Sequence, residues 1–344
     1  MEKAKVQEPD SSPYDYIVTP YPERFSNLIP LPYPIVYILF SICLFGVYSL
    51  SCFLSNYPIM THAKLVAIFS LLTGSLATAI IWFSKSLENF TPSLLLFIDW
   101  SQKQTVEWYE SKLRSIFRLK WMFISGVVLA AVILPSILYC EDLWENFSGK
   151  PKIISLSILT LVCFLGGGTL YSMAAIAKMV HELGKLQAIK ISVYQHPVTS
   201  VKAVGSLLNR ISLSMIAIYL LAISVIYFEP ALCRKHMIGL AILFGVIVVS
   251  FFIFPQYKIH KIMANVKHIK LRKFSAYLEE SLEAVTKEPS RRNVQKVREL
   301  FEIQRSLNGM SEWPFDAKLL LIIITSIAIP LMVAAIHVYS TLNK

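Results

Sequence analysis

Charged residues are scarce in this chain, and the residue patterns of catalysis and metal binding are missing. Only 16% of the 344 residues are charged, against about 25% in soluble globular domains. The five cysteines form no Cys-x-x-Cys pair. His181 and Glu182 begin a His-Glu-x-x-His zinc motif, but Lys185 stands where the second histidine is required. No phosphate-binding loop or Gly-x-Ser-x-Gly motif occurs, so the sequence does not indicate an enzyme, a cofactor or a metal.

Long apolar runs dominate the sequence instead. Hydrophobic residues make up 55% of the chain, and runs close to the bilayer-crossing length recur along it. They predict an all-α fold: a polytopic transmembrane helical bundle of about seven spans with a cytosolic helical hairpin domain. We place the spans at about 34–55, 63–84, 120–140, 153–177, 211–229, 237–255 and 317–339.

Polar segments divide the chain around these spans. Residues 1–32 hold six prolines and are expected to be a flexible N-terminal lead. Spans one to six occupy 33–255, with cytosolic helical insertions at 85–119 and 178–210. The hairpin occupies 256–316, and the last span lies in 317–344.

The insertion at 178–210 has its own expected helix ends. We expect the helix of span four to continue to about Ala188, because the sequence stays compatible with a helix up to that point. Thr199 or Ser200 is expected to cap the helix that follows, since both side chains can accept a hydrogen bond from a backbone N–H of the first turn.

Positive charge is distributed unevenly between the two sides of the membrane. With the N-terminus inside, 27 of the 33 Lys and Arg residues fall in cytosolic segments. Basic residues concentrate in the cytosolic loops of membrane proteins, so we predict a cell-membrane protein with a cytosolic N-terminus and an external C-terminus. Cys140 and Cys233 fall on the same outer side, and the sequence leaves open whether they are bonded.

The segment 256–316 has the clearest helical pattern outside the spans. Apolar residues recur every three or four positions in 271–285 and in 294–304. Pro289 cannot continue a helix interior, and Ser290 is expected to cap a second helix. The pattern therefore predicts two helices that pair as a hairpin, within one chain or between chains.

The first arm of this hairpin is one-sidedly basic. No acidic residue occurs between Gln256 and Tyr277. Three interpretations stay open: a collar that contacts lipid headgroups, a coiled-coil face that holds an oligomer together, and a surface for a cytosolic nucleotide or short oligonucleotide. Lys261, His268 and Arg272 share one helical face, so we predict them as ligand-binding residues.

The predicted spans hold few titratable groups. Spans one, two, three, five and six carry no Asp, Glu or His at mid-depth, where coupled transporters place such groups. A coupled transporter is therefore disfavoured. Thr325 and Ser326 in span seven are predicted to line a pathway. Gly166, Gly167 and Gly168 in span four predict either a close helix contact or a kink or pore-facing stretch of backbone.

Two short segments resemble one group of proteins. Residues 191–197 end in His-Pro and are followed by Gly205 before a span, and residues 313–316 (Trp-Pro-Phe-Asp) open the last span. Both resemble segments of uncharacterised prokaryotic multi-pass membrane proteins. The resemblance implies a prokaryotic inner membrane. Some of those proteins look like membrane effectors of antiviral systems that a nucleotide-type signal gates.

These observations together predict an oligomeric ion channel or pore that the cytosolic helical domain gates. Its partners would be the lipid bilayer, further copies of the chain and an anionic, nucleotide-type ligand. Two other classes compete with this hypothesis: a non-conducting membrane scaffold and a lipid-handling membrane enzyme.

Overall fold

The computed structural model describes residues 20–58, 62–98, 100–138, 149–183, 185, 197–228, 234–287 and 289–308, with single positions between 321 and 336. These residues are almost entirely α-helical, as the sequence predicts. The N-terminal lead up to residue 19, the Cys140–Cys233 pair and most of the last span lie outside them.

Six stretches of helix in the described residues are long and apolar enough to cross a membrane. They coincide with six of the seven predicted spans, and the predicted seventh lies mostly outside the described residues. A short helix, α1 (Tyr21–Ser26), precedes the first span. The spans lie in α2 (Tyr33–Leu54), α3 (Ala63–Glu88), α6 (Leu119–Leu138), α7 (Lys150–Leu183), α8 (Pro197–Phe228) and α9 (Arg234–Lys287).

The segment 85–119 is helical, as predicted, and it packs onto the bundle. It contains α4 (Thr91–Phe97) and α5 (Gln102–Ile116). Ser101 caps α5 through a reciprocal pair of hydrogen bonds with Gln104. Tyr109 of α5 is buried, and its hydroxyl donates to the Leu87 carbonyl at 2.6 Å. The apolar side of α5 thus belongs to the protein core.

Two helix ends differ from the prediction. α7 ends at Leu183, and Lys185 lies in a turn, so the helix stops before Ala188. The residue that follows Leu183 in the sequence is a glycine, which is common just past helix ends. α8 begins at Pro197 rather than after Thr199 or Ser200. Proline is favourable at the first helical position, because its missing N–H would have no helical partner there.

α6 and α7 are in close backbone contact at two glycines, Gly126 and Gly167. A Cβ on Gly167 would lie 2.5 Å from the Gly126 Cα. The Ser125 hydroxyl donates to the Gly167 carbonyl at 2.8 Å. Small residues let two membrane helices bring their backbones together. The close-contact interpretation of the glycine run in span four is therefore confirmed, and α7 continues as one helix through the run.

α3 is the most buried of the six spans. Its first half packs in a cluster with α2, α6 and α7, and its second half packs in a larger cluster with α4, α5, α7, α8 and α9. The bundle is therefore organised around α3, and α9 lies at its edge, in contact with α7 and α8.

Candidate functional site

The longest helix joins the bundle to the polar part of the chain. α9 runs over 54 residues, from Arg234 to Lys287, which corresponds to about 80 Å at 1.5 Å per residue. Its stretch Ala241–Lys261 is the sixth candidate span, and the remainder carries the charged residues of the predicted first arm. No loop separates the two parts. Pro255 lies inside the helix, where a proline removes one backbone hydrogen bond and favours a bend.

The residues beside Pro255 attach α9 to α8. Gln256 is only 1% exposed, and its Nε2 donates to the Asn209 Oδ1 at 2.8 Å. Phe252 and Ile259, about one turn away on either side, are buried in the same core. We call Asn209, Pro255 and Gln256 the α8–α9 junction. Its hydrogen bond lies in a largely apolar contact, near the end of the candidate span Ala241–Lys261 that is closer to the arm.

Gln256 also holds a polar atom that the described residues leave unsatisfied. Its Oε1 is buried and accepts no hydrogen bond from them. A buried acceptor without a partner costs about 1–3 kcal/mol. The Gln256 side chain is therefore held by one hydrogen bond, while its unsatisfied oxygen lowers the stability of the contact. The junction is thus a weak point in the packing of α9 against α8.

The arm of α9 pairs with α10 (Arg291–Asn308). The Ser290 hydroxyl accepts a hydrogen bond from the Asn293 N–H at 3.2 Å, so the predicted cap of the second helix is confirmed. At the other end of α10, the Lys267 ammonium donates to the Asn308 carbonyl at 3.0 Å. A positive charge at a helix C-terminus is favourable because the last carbonyls carry negative partial charge. These contacts define the α9–α10 hairpin.

The predicted ligand-binding residues lie together on the surface of the arm. Lys261, His268 and Arg272 are all exposed, and their spacing of seven and four residues puts them on one face of α9. Over eleven residues they span about 16 Å. Within the part of the chain that the structure describes, none of the three forms an ion pair. One chain thus supplies an open basic strip rather than a closed pocket.

Thr325 and Ser326, the predicted pathway residues, both lie at helical positions and are half-buried. The Thr325 hydroxyl donates to the Leu321 carbonyl at 2.8 Å. Most of their neighbours along the last span are outside the described residues, so their role in a pathway stays a prediction.

A second polar group ties the start of the chain to the bundle. Glu23 of α1 is 6% exposed and packs against α3. Burial raises the pKa of the Glu23 carboxyl, while the Lys85 charge and the Ser84 hydroxyl lower it by smaller amounts. Next to Glu23, the Pro22 carbonyl accepts a hydrogen bond from the Tyr37 hydroxyl at 2.6 Å. These contacts fix α1 against α2 and α3.

The incomplete zinc motif has a structural role. Glu182 forms an ion pair with Lys112, which links α7 to α5. In the described ranges, no group of three or more His, Cys, Asp or Glu side chains is placed to hold a metal ion. Glu182 therefore contributes to the packing of α7 against α5.

The sequence did not reveal the α8–α9 junction. Asn209 and Gln256 each border an apolar run, which is a weak signal of a polar contact inside the bundle. The two are 47 residues apart, and nothing in the sequence shows that their helices are neighbours.

The fold and the junction define the class of the protein: a helical membrane protein with six candidate spans in its described part and a long helix that leaves the bundle. No protein family, curated protein or solved structure matches the chain. The resemblance of residues 191–197 and 313–316 to prokaryotic membrane proteins stays a prediction, and both segments fall mostly or wholly outside the described residues.

Proposed function

We propose that the protein is an oligomeric ion channel or pore and that the α9–α10 hairpin controls its opening. The observation that carries this proposal is the continuity of α9. Because one helix contains both a span and an arm of the hairpin, a rotation or tilt of the hairpin moves the span directly. Rigid helices that connect a sensing element to a membrane span are a common means of transmitting small movements.

The α8–α9 junction supports this proposal by giving the movement a place to occur. Pro255 weakens the backbone of α9 locally, and the single Gln256–Asn209 hydrogen bond holds that part of α9 against α8. Breaking one membrane hydrogen bond costs about 0.6 kcal/mol on average, which a ligand can readily supply. A helix that can take up two positions, with one weak hydrogen bond between them, is suited to act as a gate.

Exposed apolar residues on the hairpin support an oligomer. Val294 and Phe301 lie two turns apart on one face of α10 and are 53% and 49% exposed. Helices outside the membrane normally bury such a stripe. Residues seven positions apart share one face of a coiled coil. The same helix of a second copy of the chain would pack against this face and cover the stripe.

The ligand that we propose for the hairpin is an anion of the nucleotide type. The strip formed by Lys261, His268 and Arg272 is basic and exposed, and symmetric copies of it around an axis would concentrate positive charge. The excess of Lys and Arg on this side of the spans favours a cytosolic hairpin, where nucleotides are present. We propose the inner membrane of a prokaryotic cell as the location.

Ion flux from vesicles tests the channel proposal. Purified protein is reconstituted, its oligomeric state is measured by light scattering, and flux is recorded with and without added nucleotides. Asn209→Leu removes the junction hydrogen bond and is expected to change the flux severalfold without changing assembly. Ser206→Ala, an exposed change one turn away on α8, serves as the matched control and should leave flux unaltered.

The results also separate the competing classes. An oligomer that conducts no ion under any added nucleotide would favour a scaffold, and turnover of the vesicle lipid would favour an enzyme.

For the ligand, a triple alanine variant of Lys261, His268 and Arg272 should lose the nucleotide-induced thermal shift at low salt, whereas Lys103→Ala on α5 should keep it. An equal shift in both variants would exclude the basic strip as the site.

A further inference from the structure

A cavity that is partly open to the surface lies between the helices of the bundle, in the half of the spans that is farthest from the α9–α10 hairpin. Its volume is about 170 Å³, and side chains from α3, α6, α7, α8 and α9 line it. On α9 the lining residues fall between Ala241 and Val248, at the opposite end of the span from Lys261. The cavity is therefore separate from the basic strip and from the α8–α9 junction.

The walls of the cavity are almost entirely hydrocarbon. Among the described lining residues, the Tyr219 hydroxyl is the only side-chain oxygen or nitrogen. It already donates to the Ala241 carbonyl at 3.1 Å, which joins α8 to α9. A buried water molecule needs two to four polar partners, and these walls do not supply them. The cavity consequently favours an occupant that makes no hydrogen bonds.

The size of the cavity narrows the class of ligand further. An engineered apolar cavity of about 150 Å³ in an unrelated protein stays dry and binds benzene or xenon. A space of about 170 Å³ accordingly accepts a group of benzene size or slightly larger. A charged or strongly polar molecule would lose its hydration there without gaining partners, so nucleotides and inorganic ions do not fit.

An entry route exists on the surface of α8. Ala222 lines the cavity and is also exposed at the outside of the helix. It lies within the candidate span Val204–Ser224 and is exposed among the described residues, which puts it at the depth of the lipid tails. An apolar molecule dissolved among the lipid tails, or a lipid tail itself, can therefore reach the cavity without crossing a polar layer.

We propose that this cavity is a binding site for an uncharged hydrocarbon group, supplied either by a lipid tail or by a small apolar molecule dissolved in the bilayer. The proposal concerns binding alone. It holds or fails independently of ion conduction and of the nucleotide site on the hairpin.

Photolabelling in vesicles tests this proposal. A small alkane that carries a diazirine is added to the reconstituted protein, irradiated, and located by mass spectrometry of the peptides. We expect saturable labelling of α3 near Leu72 and of α8 near Tyr219, which benzene competes away. Ala222→Phe fills the mouth of the cavity and should reduce this labelling about tenfold, the factor that corresponds to about 1.4 kcal/mol of lost binding.

Ala217→Phe is the matched control. Ala217 is exposed on a different face of α8 and does not line the cavity, so the same change in volume should leave the labelling intact. Should Ala222→Phe fail to fold, Leu72→Ala takes its place: it enlarges the cavity and should increase labelling by a naphthalene-sized probe.

A phospholipid with the diazirine in its acyl chain distinguishes the two sources of the hydrocarbon. Strong labelling by the phospholipid identifies a lipid tail, and labelling by the free alkane alone identifies a small molecule. Labelling that is spread evenly over the exposed faces of the spans, or that Ala222→Phe and Ala217→Phe reduce equally, would overturn the proposal. So would a failure of Leu72→Ala to admit the larger probe.

Discussion

The contact between α6 and α7 gives the sharpest test of the packing. Gly167→Ala adds one Cβ at a point where the nearest atoms are the Cα and N of Gly126 and the carbonyl carbon of Ser125, all at 2.5 Å. All three are backbone atoms, so no side chain can rotate away. The two helices must instead separate until these distances exceed 3.0 Å, and ordinary contact begins only at 3.4 Å.

The expected cost follows from two contributions. Forcing an extra carbon into a packed contact costs about 1–3 kcal/mol. Separating the helices also stretches the bond from the Ser125 hydroxyl to the Gly167 carbonyl, and a hydrogen bond between membrane helices contributes about 0.6 kcal/mol on average. Gly167→Ala should therefore lower the free energy of unfolding by about 2–4 kcal/mol.

Unfolding in mixed micelles, with a rising fraction of denaturing detergent and helix content as the signal, measures this change. Gly46→Ala on α2 is the matched control, because a Cβ there meets nothing within 4 Å. It should be neutral or raise stability by about 0.5–1 kcal/mol through lost freedom of the unfolded chain. If Gly167→Ala and Gly46→Ala behave alike to within about 0.5 kcal/mol, the close approach of α6 and α7 is refuted.

Two further predictions concern α1 and the first turn of α10. Because burial raises the pKa of Glu23 above its usual value of 4.5, the folded state favours the protonated carboxyl. The contribution of this carboxyl to stability should thus be fully present below pH 4.5 and be lost as the pH rises through the raised pKa. Glu23→Gln should remove this part of the pH dependence of the thermal midpoint, and identical pH profiles for the two proteins would contradict the buried position. Ser290→Ala removes the cap of α10 and should weaken its first turn by about 1 kcal/mol. Hydrogen exchange should show this as roughly fivefold faster exchange of the Asn293 amide, with unchanged exchange in α5 as the internal reference.

The helices of this protein follow from its sequence more directly than their contacts do. The apolar runs predict the six spans that the structure describes, because the length and composition of a run are local properties. The helix cap at Ser290 and the close helix contact at the glycine run 166–168 can likewise be predicted from a few neighbouring residues. Both predictions are confirmed.

Contacts between distant helices could not be predicted in this way. The Gln256–Asn209 bond and the cavity beside Tyr219 depend on which spans are neighbours. The sequence pattern of one apolar span resembles that of another, so it does not show which spans pack together. The predicted cap of α8 was wrong for a local reason: Thr199 and Ser200 have favourable capping side chains, but Pro197 is equally suited to the first helical position, where the structure places it.

The unbroken course of α9 restricts how this protein can vary in length. A helix turns by about 100° per residue, so one residue inserted between the span and the hairpin would swing the basic strip about a quarter of the way around the helix axis. Three or four inserted residues would nearly restore its direction but displace it by about one turn, or roughly 5 Å. The number of residues between the span and the hairpin therefore sets the direction in which the basic strip faces relative to the bundle.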